Sequence, residues 1–384
     1  MSIRNILIRL TANIIYILRK KTLLTGDVRF LVFTGTSGKT LARSATAYAL
    51  RRTGHIVISP PYGYTNELGI VLAALGIESV KLFSFTGLYR IFFEKPESKT
   101  YVCVELGADW YPDTNWFLKH FKPFGIFLTN ITNEEWVRSL SVIWKEKELL
   151  IKSNSPHGFV CFSSHNESVE KIKGTKVLTT STFHEFTVSC KEIQYFMYSV
   201  DRGILFRSPF AGLLPYREAF GTALTCLYAL DISISPEDFF NEYEPVKDRL
   251  LITQLKSGAT LIADTYKAVP QCTKYVLHLA RLMPKEKKIV ILSEMRPVWK
   301  NKEHHYNQLA LLLKDFTQVY FIGPPDVTKI LSRQLPNLQI IENQNQYMDL
   351  VKKITVNSDQ ETLYVIKGAG YYHFSELVST LLKG

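Results

Sequence analysis

Residues 29–54 read RFLVFTGTSGKTLARSATAYALRRTG. The stretch begins as an apolar, β-prone run and passes into six residues of glycine loop. It continues as a helix with Gly54 as its C-terminal cap. Strand, glycine loop and helix in that order form the context a phosphate site requires. The glycines let backbone N–H groups turn inward around phosphate oxygens, and the helix N-terminus adds the positive end of its dipole. On this reading Gly35, Thr36, Ser37, Gly38, Lys39 and Thr40 bind a nucleotide. Lys39 neutralises the β- and γ-phosphates, and the Thr40 hydroxyl coordinates Mg²⁺. The commonest phosphate loop has a glycine where this chain has Phe33, so the match is to a shorter form, TGTSGKT, Thr34–Thr40. The competing reading is a chance Gly-Lys-Thr in a turn, which the flanking strand and helix disfavour.

Outward from the loop, the chain has 384 residues, 46% hydrophobic and 21% charged. At roughly 100–200 residues per domain, that length makes two or three domains with sizeable cores. The net charge of +11 suits anionic partners such as nucleotides, nucleotide-linked substrates or anionic lipid. No zinc-finger spacing, aromatic RNA-binding signature or long Lys/Arg run occurs, so nucleic acid is not an expected partner. Five cysteines, Cys103, Cys161, Cys190, Cys226 and Cys272, are scattered without CxxC spacing. Apolar neighbours around Cys103 and Cys161 mark core thiols of a reducing compartment, hence a cytoplasmic location.

Residues 3–18, IRNILIRLTANIIYIL, precede Arg19, Lys20 and Lys21. Arg4, Asn5, Arg9 and Asn13 interrupt the run, which falls short of the roughly 18 clean apolar residues of a spanning helix. No small-residue cleavage site follows, as a signal peptide would need. An amphipathic helix within residues 1–27 fits better. Two readings of it stand: it packs against the body, or residues 3–21 contact a membrane surface with arginines and lysines facing anionic headgroups.

Residues 28–250 read as a central ATP-binding domain. Strand-like runs at 29–34, 101–106, 125–129 and 158–162 alternate with helical stretches, the βαβ pattern of a mostly parallel sheet. Shorter alternating strands follow at 185–207, then a helix over Glu218–Ile232. Residues 251–384 begin again, with TLIAD, KIVILS, QVYFIG and LYVIKG alternating with helices. The pattern predicts an α/β protein: a P-loop-type domain plus a doubly wound, Rossmann-like C-terminal domain without a GxGxxG loop.

Further segments follow the loop in a telling order: TNELG (Thr65–Gly69), YVCVELGADWYPD (Tyr101–Asp113), LTNIT (Leu128–Thr132), IADTYKAVP (Ile262–Pro270) and IKGAG (Ile366–Gly370). With TGTSGKT they resemble, over about residues 28–384, the Mur ligase family, and within it the branch that adds D-alanyl-D-alanine. The physics of Glu105 agrees. It ends the apolar run Val102–Val104, which would bring its carboxylate to the C-terminal edge of a strand, where open α/β sheets bind ligands. A carboxylate there can hold Mg²⁺ beside Thr40, because Mg²⁺ prefers hard oxygen ligands.

The resemblance implies more. The family's second Mg²⁺ site uses a His and a carbamylated lysine. The His position falls on Glu135, itself an oxygen donor, and the lysine is matched by Lys147, with Lys145 and Glu146 as alternatives. Asn130, Arg249, Asp264 and Tyr266 fall on nucleotide-side positions. Lys267, Val269 and Cys272 replace family Asn, Asn and Ser, and Glu294 stands for the usual Asp beside Met295. His304 or His305 occupies a position near the acceptor, or the two are a surface pair. About 27 residues precede the first strand, so the family's N-terminal domain that grips the UDP part of the substrate is expected to be missing. The implied activity is ATP-dependent carboxylate–amine ligation through an acyl phosphate, with Lys39, Glu105 and Lys147 as catalytic groups. Its implied substrates are a cell-wall precursor such as UDP-MurNAc-tripeptide and an amino acid or dipeptide such as D-Ala-D-Ala. The alternative is a nucleotide-binding scaffold that has lost ligation.

Overall fold

β1 (Val28–Thr34) runs parallel between β3 (Thr100–Leu106) and β4 (Pro123–Leu128), and its residues from Phe30 onward are buried. A strand covered on both faces has no polar side to alternate, which explains its continuous apolar run. Phe33, at the position where a longer phosphate loop carries glycine, is a core residue stacked on Phe127 with ring centroids 4.4 Å apart. The computed structural model describes residues 3–60, 66–78, 84–107, 113–129, 140–155, 158–163, 177–180, 185–190, 193–198, 213–234, 239–295, 301–342, 346, 349–350, 352–354 and 359–383.

The chain divides into two units, Met1–Glu244 and Pro245–Gly384. In the first, the strand order is β2 (Val57–Ile58), β3, β1, β4, β5 (Phe159–Ser163), β8 (Ile193–Tyr198), β7 (Glu185–Cys190) and β6 (Val177–Thr180). Pairing is parallel from β2 to β8, and β7 and β6 extend the sheet antiparallel. After β1 the chain builds β2 and β3 on one side, then crosses to build β4 and β5 on the other. Such a reversal leaves a crevice at the C-terminal strand ends, the usual ligand position in open α/β sheets.

α2 (Lys39–Arg52) lies against β1, β3 and α7 (Leu214–Ala229). Ala42, Ala45 and Ala49 on one helix and Ala219 and Ala223 on the other are buried, small enough for close approach. Gly54 adopts φ +83 just past the end of α2, as its predicted capping role requires.

α1 (Ile3–Thr25) packs on the body of the first unit, against α3 (Glu67–Ala74) and α5 (Asp113–His120). Ala12, Ile15 and Leu23 enter the core, and Trp116 Nε1 donates to Asn13 Oδ1 at 2.9 Å. The packing reading of this helix holds for Arg9 and Arg19, which turn toward the body. Arg9 lies 3.9 Å from Glu67. Arg19 is buried and donates to the carbonyls of Ile91 and Glu94. Those carbonyls end α4 (Phe85–Phe93) and lack helical partners, so a guanidinium is drawn inward to cap them.

The second unit orders its strands β13 (Leu338–Ile340), β12 (Gln318–Ile322), β11 (Lys287–Ser293), β14 (Thr362–Lys367), β10 (Thr260–Asp264) and β9 (Leu251–Gln254). All pairs are parallel except β9 with β10. α8 (Pro270–Leu282), α9 (Lys302–Leu313) and α10 (Pro325–Ser332) connect successive strands, and α11 (Phe374–Lys383) follows β14. The edge strands β9 and β13 escape the sequence pattern because they are short and only partly buried.

Cys103, Cys161 and Cys226 are buried core thiols. Burial pushes the Cys103 thiol from 9.0 up to about 12. An acid whose folded pKa is raised contributes stability that is full below 9.0 and is lost as pH rises toward 12. Relative to Cys103→Ala, the protein is expected to lose about 1.4 kcal/mol of stability per pH unit across that window. Denaturant titrations of both proteins from pH 9 upward check the slope.

Candidate functional site

The phosphate loop leaves β1 at Thr34, which is stitched to three neighbours. Its hydroxyl donates to the Leu106 carbonyl at 2.9 Å and accepts from Lys147 Nζ. Its carbonyl accepts from the backbone N–H and the hydroxyl of Thr129, at 2.9 and 3.1 Å. The ends of β1, β3 and β4 thus meet at one point, with Lys147 of α6 (Leu140–Lys152) beneath it. Lys147 is fully enclosed, whereas Lys145 on the same helix is exposed.

Gly35 takes φ +136, and a Cβ there would stand 2.2 Å from Thr129 Oγ1. Gly38 takes φ +84 immediately before α2. Gly35→Ala therefore meets about 1–3 kcal/mol of backbone strain in addition to the overlap with Thr129. The expected outcome is a loss of about tenfold or more in Mg-ATP affinity, since 1.4 kcal/mol is a factor of ten. Calorimetric titration checks it.

Lys39 Nζ donates to the Gly35 carbonyl at 2.6 Å, so the ammonium lies over the loop. In the first turn of α2, Thr40 Oγ1 donates to Glu105 Oε2 at 3.2 Å, with Glu105 reaching in from β3. The other carboxylate oxygen lies 2.9 Å from Arg43 Nε. Both side chains of that ion pair are largely buried, 8% and 11% exposed. The guanidinium also donates to the Pro60 carbonyl. Arg43 escapes a motif-based reading. Its signal is spacing: three residues after Thr40 it shares the same helix face.

The oxygen pair tests the fit of Mg²⁺. Two cis ligands at the usual Mg–O distance stand about 3 Å apart in an octahedral shell, close to the Thr40–Glu105 separation. Arg43 holds one oxygen of Glu105 and leaves the other facing Thr40. Among the described residues, no group of three or more His, Cys, Asp or Glu side chains gathers as a metal cage. That suits an ion held by one hydroxyl, one carboxylate and the oxygens of a phosphate substrate.

Neither a scan against protein-family models nor a search of curated proteins finds a match. Solved structures do match. The MurF ligase of Thermotoga maritima in complex with ADP superposes with a TM-score of 0.70 at 14% identity, covering 97% of this chain and 83% of that one. MurF of Acinetobacter baumannii gives 0.70 at 17% identity, covering 97% and 80%. The chain has the Mur ligase fold. The Mycobacterium tuberculosis folylpolyglutamate synthase, complexed with ADP and AMPPCP, shares it at a TM-score of 0.61 and 12% identity, covering 96% and 94%.

In the second unit of this Mur ligase fold, polar groups collect at the C-terminal ends of β10, β11 and β14. Asp264 and Lys367 are register partners, and the enclosed Lys367 ammonium donates to Asp264 Oδ2 at 2.9 Å and to the Lys267 carbonyl. Ser293 Oγ accepts from the Ala369 N–H at 2.9 Å. The Arg249 guanidinium stacks over the Tyr266 ring, 3.6 Å from its centroid. Glu294 is buried, and the Met295 N–H donates to the Tyr306 hydroxyl at 2.7 Å. On α9, His304 is exposed and His305 half-buried, their rings 5.8 Å apart.

The structure thus brings together Gly35, Gly38, Lys39, Thr40, Glu105 and Lys147 in one unit, and Asp264, Tyr266 and Arg249 in the other. Thr36 and Ser37 lie in the loop between β1 and α2. Asn130 and Glu135 lie outside the described residues.

Proposed function

We propose that this chain belongs to the Mur ligase family and is an ATP-dependent carboxylate–amine ligase. The observation that carries this reading is the cluster at the reversal point of the first sheet: Lys39 over the glycine loop, and Thr40 facing Glu105 at 3.2 Å. ATP is the substrate that fits it, and the ADP and AMPPCP complexes of the fold's relatives point the same way.

In the proposed reaction a carboxylate oxygen of the donor attacks the γ-phosphorus of ATP. The bond to the bridging oxygen breaks, ADP leaves with that electron pair, and an acyl phosphate forms. The amine nitrogen then attacks the acyl carbon, phosphate leaves with the C–O electron pair, and the nitrogen loses its proton. The difficulty in the first step is repulsion between two anions. Lys39 counters it as a fixed positive charge, and the loop N–H groups and the dipole of α2 orient the phosphates. Mg²⁺, held by Thr40 and Glu105, would supply further charge neutralisation at the phosphate oxygens. Arg43, 2.9 Å from one carboxylate oxygen, holds Glu105 in one orientation. Lys147, carried as a carbamate, would with Glu135 form the oxygen set of a second ion.

For substrates we propose a cytoplasmic cell-wall precursor of the UDP-MurNAc-tripeptide class, with D-Ala-D-Ala as the amine. Support comes from the order of the sequence segments and from a similar Acinetobacter baumannii structure named as a D-alanyl-D-alanyl ligase, with a TM-score of 0.69. The test is phosphate release from Mg-ATP in bicarbonate buffer with each substrate singly and with both together. Release only with both, and a product gaining the dipeptide mass, is the expected result. Tight ATP binding without substrate-dependent release, across a panel of carboxylates and amines, would favour a scaffold that has lost ligation.

A further inference from the structure

The N-terminal helix is apolar on its outward face as well as on the face it buries. At 100° per residue, Arg19 shares the inward face with Ala12, Ile15 and Leu23, and Asn13 lies at its flank. The outward face carries Ile6, Leu10, Ile14 and Ile17, exposed by 51%, 54%, 49% and 70%. A helix packed on a soluble body normally turns a polar face outward. α4 repeats the arrangement. It buries Gly87 and Ile91 and exposes Phe85, Tyr89, Phe92 and Phe93, with Phe85 86% exposed. Arg19 joins the two helices by capping the end of α4 from the last turns of α1. Single exposed apolar residues are ordinary, but two joined helices with apolar outward faces mark a contact surface.

We infer that α1 and α4 together form a docking surface for an anionic lipid bilayer. Charge selects this occupant. Among the described residues of this region, Lys20 and Lys21 at the end of α1 and Lys95 just after α4 are exposed. They edge the apolar face with cations, as an anionic headgroup layer requires. The chain's net charge of +11 attracts such a surface and repels a second copy of itself. The outward face also offers few hydrogen-bonding groups, whereas protein interfaces carry about one hydrogen bond per 100–200 Å². Ring-bearing side chains on α4 suit the boundary between acyl chains and headgroups. No helix among the described residues is long and apolar enough to cross a membrane, so the helices lie in the interface. None of its residues belongs to the phosphate loop, and the inference does not depend on the ligase reading.

The test is flotation of the full chain with vesicles of phosphatidylcholine alone and of phosphatidylcholine mixed with phosphatidylglycerol. Binding to the mixed vesicles is expected, weakened by salt. Combined Ile6→Gln, Leu10→Gln, Ile14→Gln and Ile17→Gln should reduce it about tenfold or more, because each buried methylene contributes to partitioning. Phe85→Ser with Phe93→Ser should do the same from α4, and Lys20→Glu with Lys21→Glu should flatten the salt dependence. Circular dichroism and the unfolding midpoint of each variant should match the parent, since the changed side chains face outward. Wild-type protein that stays unbound, or a four-glutamine variant that floats like the parent, would overturn the inference. So would a dimer in light scattering that the same four substitutions dissociate, which would make the face an interface between copies.

Discussion

Lys39→Ala is expected to lower substrate-dependent phosphate release by about 10²–10³-fold, the usual effect of removing one preorganised electrostatic group from a reaction that develops charge. That corresponds to about 3–4 kcal/mol of transition-state stabilisation. Folding should hardly change. The side chain is half-buried and donates to the Gly35 and Thr36 carbonyls of its own loop, so the net loss is about 1 kcal/mol or less. Lys39→Arg keeps the charge but not the compact ammonium, and should recover only part of the rate. Steady-state phosphate release, beside thermal unfolding of the same samples, separates the two effects. An alanine variant with parental turnover would remove the loop from the chemistry.

The second large effect is expected at Glu105, because its carboxylate does two jobs. Removing it leaves the buried Arg43 charge without its nearest anion. Breaking a buried ion pair from one side typically costs about 3–5 kcal/mol. For a unit of this size each kcal/mol lowers the unfolding midpoint by about 2–4 °C. Glu105→Ala should therefore lower the midpoint by about 6–20 °C and abolish turnover as well. The double variant Glu105→Leu, Arg43→Leu distinguishes the jobs. Removing both charges together should restore much of the stability, because no uncompensated ion remains. It should restore none of the activity, because the oxygen that faces Thr40 is gone. A double variant with turnover would mean that Glu105 serves only the fold.

Much of this site lies in local sequence. β1, its loop and α2 are consecutive, so apolar pattern, glycines and the following helix declare themselves together. Glu105 is legible for a similar reason, as the polar end of an apolar strand. What the sequence leaves open depends on long-range packing. On α6, Lys145, Glu146 and Lys147 are equivalent as letters, and only the side of the helix turned toward Thr34 distinguishes Lys147. Arg43 is hidden because its partner is a strand far along the chain. The direction of α1 is unreadable for the same cause. Arg19 could face water or the body, and the carbonyls at the end of α4 decide in favour of the body. The Asp264–Lys367 pair needs the register of β10 against β14, strands about a hundred residues apart.

The most direct test follows oxygen. The carboxylate donor is labelled with ¹⁸O and turned over with Mg-ATP and the amine, and the released phosphate is analysed by mass spectrometry. If the carboxylate attacks the γ-phosphorus, each phosphate carries one labelled oxygen, delivered when the acyl phosphate breaks down to the amide. Phosphate released with oxygen from water alone would contradict an acyl phosphate and leave only nucleotide hydrolysis at the loop.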